Sequence, residues 1–277
     1  MREQTVAKYC FLDDLLARTR PVWARAADPR RRLSDAEVLT TALVAARYFG
    51  GNLVLARHYM EQHWGMKSLD KSGFTRQLHR LGETLLGLFA TFGQAVKALH
   101  TASRYVIDSF PVAVCQNIRI GRNKLLGHEA YRGRCASKRT WFYGFKVQIV
   151  ATTDGVPVDF YVHAGSEADI TGLRALAPDL PAGSVLYTDA GYTDYAWEEL
   201  FAEATGNQQF TARKGNSKRP HAPAENFLLQ HFRKTIETTF SELTARFPKK
   251  IHAVTAAGFV LKIALFIFVH ALDKFGL

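Results

Sequence analysis

The apolar pattern of this chain changes period once, near residue 100, and that switch limits its fold more than any other feature. Before it, apolar residues recur at three- and four-residue steps, the spacing of helices that bury one face. Ser34-Asp35-Ala36-Glu37 fits a capping box, in which the Ser34 hydroxyl and the Glu37 carboxylate satisfy free N–H groups at a helix start. The run Val38–Phe49 follows and stops at Gly50-Gly51. A second helix is predicted over Leu53–Trp64. A third, after a turn at Lys71-Ser72-Gly73, carries Phe74, Leu78, Leu81 and Leu85, and a fourth covers Leu86–Leu99.

From Arg104 the period shortens. Arg104–Val114 reads as a strand, and Phe145–Thr152 alternates apolar Phe145, Val147, Ile149 and Ala151 with Lys146 and Gln148. Asp154-Gly155 signals a tight turn into a further strand, Val156–Val162. Then come a helix over Asp169–Ala177, a strand over Ser184–Thr188, a helix over Tyr195–Ala204, a strand over Gln208–Ala212 and a long helix over Asn226–Phe247. A strand meander leading into alternating helices and strands predicts an α/β fold, a mixed sheet covered by helices. That succession matches the RNase H-like fold. The expected division is an all-helical DNA-binding domain, residues 1–100, and an RNase H-like catalytic domain, residues 101–277.

Charge narrows the partners. Thirty-six Lys and Arg against 25 Asp and Glu give a net charge of +11 and a pI near 9.7, which favours nucleic acid or an anionic membrane. Phe259–Val269 raises the membrane question, but Lys262 interrupts it and Ile263–Val269 is far short of the ~20 residues that span a bilayer. A buried terminal helix is expected instead. Cys10, Cys115 and Cys135 are too few and too scattered for a disulfide framework or a zinc site, and the first residues lack a signal-peptide stretch. The expected compartment is the cytoplasm.

The basic residues are clustered. Residues 115–146 hold Arg119, Arg122, Lys124, Arg132, Arg134, Lys138, Arg139 and Lys146 against one acid, Glu129. Read as a long loop, this segment either contacts phosphates or is merely solvated, and phosphate contact is the preferred reading. Arg213, Lys214, Lys218 and Arg219 form a second cluster after the last strand. In the helical part Thr75, Arg76, Gln77, His79 and Arg80 share one polar side. They suit a helix-turn-helix recognition helix and equally the solvated face of a plain bundle. Trp141, Phe142 and Tyr143 suit base stacking, but their place at a strand start favours the core.

Three acids stand where this architecture brings chemistry together. Asp108 follows Val106-Ile107 and precedes Pro111, toward the end of the first strand; Asp189 follows the strand ending at Thr188. Glu237 lies on the long helix, next to Ile236 in the core stripe Leu229, Phe232, Ile236, Phe240, Leu243 and Phe247. Glu242 competes with it but sits on the opposite border, with Arg246 one turn on as a ready partner. Clustered carboxylates repel, and a divalent cation with hard oxygen ligands reverses that cost. Asp169 reads either as a further carboxylate of this group or as a helix cap, and the cap is preferred.

With these residues the chain resembles the DDE transposases of bacterial insertion sequences, in the group that includes retroviral integrases. The likeness rests on VIDSFPV around Asp108, GFKVQIVATTDGVPVDFYVHAGSEAD, LYTDAGY around Asp189 and RKTIETTFSEL around Glu237. Gaps of 80 and 47 residues between the three acids leave no room for a large insertion domain. The resemblance implies that Asp108, Asp189 and Glu237 bind two Mg²⁺ ions, with Mn²⁺ able to substitute. It also implies cleavage and strand transfer at terminal inverted repeats, by a homodimer pairing two DNA ends and joining them to target DNA. Of the Tyr, Arg and Lys that flank the glutamate in many relatives, only Arg233 is present; Gln230 and Leu243 stand at the other two positions. A nuclease of the same fold and a non-catalytic DNA-binding derivative are the alternative functions. Expected DNA contacts are Arg76, Arg80, Arg119, Arg122, Lys124, Lys138, Arg139, Lys214, Lys218, Arg219 and Arg233.

Overall fold

A computed structural model describes residues 1–19, 31–115, 117–135 and 139–277. Lys138 lies outside the described residues. The chain forms two compact units, residues 1–91 with 243–277, and residues 92–242.

The first unit is helical: α1 (Arg2–Thr19), α2 (Asp35–Tyr48), α3 (Leu53–Trp64), α4 (Lys71–Arg80), the start of α5 (Gly82–Leu99), the end of α8 (Pro223–Arg246) and α9 (Ala256–Phe275). The capping box forms as predicted, with the Glu37 N–H donating to Ser34 Oγ at 3.1 Å and the Ser34 N–H to Glu37 Oε2 at 2.6 Å. Almost all of α2 is buried, packed among α1, α3 and α9. The helix α9 thus belongs with the N-terminal helices, whereas the sequence pattern places everything after residue 101 in the other unit. It is also longer than its apolar run. By length and composition α9 could cross a membrane, but most of that stretch is buried in the unit.

Lys71-Ser72-Gly73 is not the turn expected. The Asp70 carboxylate accepts from the Gly73 N–H at 2.9 Å, so Asp70 caps α4 and the three residues form its first turn. A buried ion cluster ties the ends of the chain together. Lys8 is fully buried, 2.9 Å from Asp273, and its ammonium donates to the Leu277 carbonyl at 2.6 Å. Arg47 and Arg246 each reach Asp273 at 2.5 Å, so Arg246 links the end of α8 to α9.

The second unit carries a six-stranded sheet. Its strands are β1 (Arg104–Cys115), β2 (Arg132–Cys135), β3 (Thr140–Thr152), β4 (Pro157–Ala164), β5 (Val185–Thr188) and β6 (Gln208–Thr211), with α6 (Asp169–Leu176) and α7 (Tyr195–Thr205) between the later ones. β3 pairs antiparallel with β1 on one side and with β2 and β4 on the other; β1, β5 and β6 run parallel. This is the mixed α/β sheet of the RNase H-like arrangement. Gly155, at φ +85°, turns β3 into β4 where Asp154-Gly155 predicted it.

Two expectations need correction. Residues 115–146 are not one long loop, because β2 and the first half of β3 lie within them, β2 pairing antiparallel with Thr140–Tyr143. The Asn123 carboxamide accepts from the Leu125 and Leu126 N–H groups, and the Tyr143 hydroxyl donates to the Leu126 carbonyl at 2.9 Å, folding the remainder onto the sheet. Nor does Asp108 stand near a strand end: β1 continues through Pro111 to Cys115. Proline has no N–H to give a ladder, yet it is accommodated here because β5 pairs with Arg104–Val106 alone and leaves that edge of β1 unpaired beyond them.

Candidate active site

Pairing register brings Asp108 to Asp189. In the parallel pair, Arg104 lies opposite Val185 and Val106 opposite Tyr187. The pairing stops there, and Asp108 and Asp189 each lie two residues beyond it, close enough for the charge of Asp189 to act on Asp108. The end of β5 is fixed by the Thr188 hydroxyl, 2.9 Å from that of Thr211, and by the Ala212 N–H donating to the Thr188 carbonyl at 2.9 Å. Asp189 then caps a short 3-10 turn, Ala190–Tyr192, its carboxylate accepting from the Ala190 N–H.

The electrostatics are those of an under-compensated acidic pair. Asp108 is largely withdrawn from water, and this burial pushes its carboxyl up to about 7. The Ser109 N–H, donating at 2.7 Å, opposes the rise, the negative charge of Asp189 adds to it, Arg233 lowers it and Asp169 adds a further increment. Arg233, on α8, lies 3.4 Å from Asp189. Tyr192 is fully buried beneath them. Burial, then the charges of Asp108 and Asp169, hold its phenol well above the ordinary range, so it stays a neutral hydroxyl.

Asp169 is part of this neighbourhood and not the cap preferred for it. Ala168 occupies the cap position of α6 without a side-chain hydrogen bond. The Asp169 carboxylate instead accepts from Ser109 Oγ at 2.6 Å and lies 3.1 Å from Lys146 Nζ. Gln148 donates to the Asp169 backbone carbonyl at 2.6 Å. The close seat of α6 on β3 depends on Gly172, where an added Cβ would meet the Gln148 carboxamide at 2.7 Å. The signal was present in the sequence: Ser109 follows Asp108, and Lys146 and Gln148 alternate on β3, two residues apart.

Glu237 is not gathered in. It is exposed on α8, one turn after Arg233, and it is not among the charges acting on Asp108. Among the described residues no group of three or more His, Cys, Asp or Glu side chains is close enough to hold a metal ion together. A divalent cation nevertheless suits what is here. Asp108 and Asp189 bring hard carboxylate oxygens near each other, and Arg233 supplies too little positive charge to keep the desolvated Asp108 fully ionised.

The predicted DNA contacts separate into two sets. Arg76, Arg80, Arg119, Arg122, Lys124, Arg139, Lys214 and Lys218 are exposed. Arg219 is engaged with Glu199 at 2.7 Å and lies over the Tyr195 ring, and its neighbour Arg213 grips Glu198 through two hydrogen bonds. These pairings join residues far apart in sequence and were not legible there. Arg233 faces Asp189. On α4 the polar side is partly spent, since Gln77 donates to the Leu33 carbonyl at 3.0 Å. Of the aromatic triplet, Phe142 and Tyr143 are buried and Trp141 is 54% exposed.

A family model for the transposase DDE domain matches residues 99–252, more than half of the chain. Comparison with curated proteins and with solved structures found no match.

Proposed function

Because this chain belongs to the transposase DDE family, whose members act on DNA and generally use divalent metal, we propose that it cuts DNA at the ends of its element and joins the freed ends to target DNA. In this reading Asp108, Asp189 and Glu237 hold two Mg²⁺ ions, for which Mn²⁺ substitutes. The observation that carries it is the desolvated Asp108 under the influence of the Asp189 charge, just beyond the point where β1 and β5 stop pairing. When bound, the ions activate the attacking oxygen and stabilise the leaving oxygen of a phosphodiester. Asp108 and Asp189 supply fixed ligands on the sheet. Glu237, exposed on α8 one turn after Arg233, would be the third ligand. Arg233, beside Asp189, would meet the phosphate near the cut, and the exposed basic residues would hold the flanking duplex. Pairing two ends calls for a homodimer.

The test is strand joining on an oligonucleotide duplex carrying the element end, with Mg²⁺ and with chelator. Cleavage with joining supports the proposal. Cleavage alone moves the function to a nuclease, and binding without either reaction to a DNA-binding derivative.

Two further results are expected. Glu237→Gln loses both cleavage and joining, whereas Glu242→Gln keeps most of each; the reverse pattern in Mg²⁺ assays would overturn the choice of ligand. Neutralising Arg119, Arg122, Lys124 and Arg139 together weakens duplex binding and flattens its salt dependence. Every phosphate that is no longer neutralised makes the log–log slope shallower by roughly 0.9. An unchanged slope in a salt titration would mean that these side chains touch no phosphate.

A further inference from the structure

A strand start that begins Trp-Phe-Tyr would ordinarily bury all three rings. Here Phe142 and Tyr143 are 8% and 4% exposed, whereas Trp141 is 54% exposed. Its backbone is held on both sides, by the Asn117 carboxamide donating to its carbonyl at 2.9 Å and by pairing with Arg134 across the β2–β3 ladder. Arg132, opposite Tyr143 and therefore on the same face, places its guanidinium 5.7 Å from the Trp141 ring centroid. Next to Asn117, Ile118 is 90% exposed. Arg134, its ladder partner, is exposed, as are Arg119, Arg122, Lys124 and Arg139 in the same stretch of chain, and none of them is ion-paired among the described residues.

We infer that Trp141, backed by Arg132, is a stacking platform for unpaired nucleotides of the DNA substrate. The inference rests on the DNA-cutting function proposed above and adds a binding site to it. A ring held by its backbone, half open and flanked by a guanidinium presents a π-face to a base, while the surrounding cations follow the phosphates. Bases within a duplex are already stacked and have no face to offer, so the partner is single-stranded. The number of cations against two exposed apolar side chains argues against an apolar protein surface.

The experiment uses the full chain, a labelled oligothymidine strand and a blunt duplex, with anisotropy titrations of wild type, Trp141→Ala and Trp141→Phe. Trp141→Ala is expected to bind the single strand roughly 5- to 100-fold more weakly and the duplex almost unchanged, and Trp141→Phe to recover most of the loss. Equal single-strand affinity in wild type and Trp141→Ala would overturn the inference, as would equal losses on strand and duplex. A wild-type protein that binds and cuts duplex but ignores single strands also overturns it, and leaves the DNA-cutting function standing. Failure to bind either form removes both.

Discussion

Replacing Asp108 with Asn is expected to abolish DNA cleavage and, in chelator, to make the protein more stable. The two effects share one cause. The carboxyl is desolvated and lies beside Asp189, an arrangement that disfavours its own charge and pushes it up to about 7. Asparagine keeps nearly the same shape and removes that cost, so metal-free Tm should rise, by roughly 2–6 °C in a chain of this size. On the proposed function it also removes an anionic metal ligand. Cleavage in Mg²⁺ should fall by roughly 10³-fold or more, the scale set by losing a group that stabilises developing charge in a transition state. Asp189→Asn should lose cleavage equally but gain less stability, because its side chain is 42% exposed and Arg233 already stands beside it. Duplex binding should persist in both. Cleavage assays with thermal melts in chelator and in Mg²⁺ decide the matter; near-wild-type cutting by either variant would show that the site is elsewhere.

The largest loss of stability is expected at Asp273, remote in sequence from both aspartates. Lys8, Arg47 and Arg246 converge on this one carboxylate, and the Lys8 and Asp273 side chains are 1% and 9% exposed. Asp273→Ala leaves the buried ammonium with the Leu277 main-chain oxygen and without its side-chain counter-charge. Breaking a buried pair from one side costs about 3–5 kcal/mol. Lys8→Met should cost clearly less, since it removes the charge that would be stranded and Asp273 keeps two guanidinium partners. Urea denaturation of both variants checks the asymmetry. Equal losses would mean that packing of the Lys8 stem, and not its charge, is what matters.

What could be read from the sequence followed local chemistry. The Ser34–Glu37 box, the Gly50-Gly51 stop and the Asp154-Gly155 turn depend on neighbours in the chain, and each lies where it was predicted. The misreadings came from residues whose meaning depends on distant partners. Ser72-Gly73 looks like a turn until Asp70 is recognised as the cap. Pro111 looks like a strand end until β5 proves too short to demand its N–H. β2 is invisible as a strand because Arg132-Gly133-Arg134-Cys135 has no apolar alternation, its order coming from β3. Asp189 follows its strand as predicted, whereas Asp108 lies within β1 and not toward its end. Asp169 was undervalued because its partners, Ser109 and Lys146, lie 60 and 23 residues away.

The register that aligns Asp108 with Asp189 has a consequence in time. Nothing local holds the two together; their meeting depends on β5 docking against β1, across the chain from Arg104 to Val185. At ~5–20 residues per second, the ribosome adds that stretch in about 4–16 s. Until then Asp108 belongs to a strand whose parallel neighbour does not exist, and Arg233 and Glu237 come later still. A nascent or truncated chain therefore carries its basic surface well before the two carboxylates meet, and on the proposed function it would hold DNA before it could cut it.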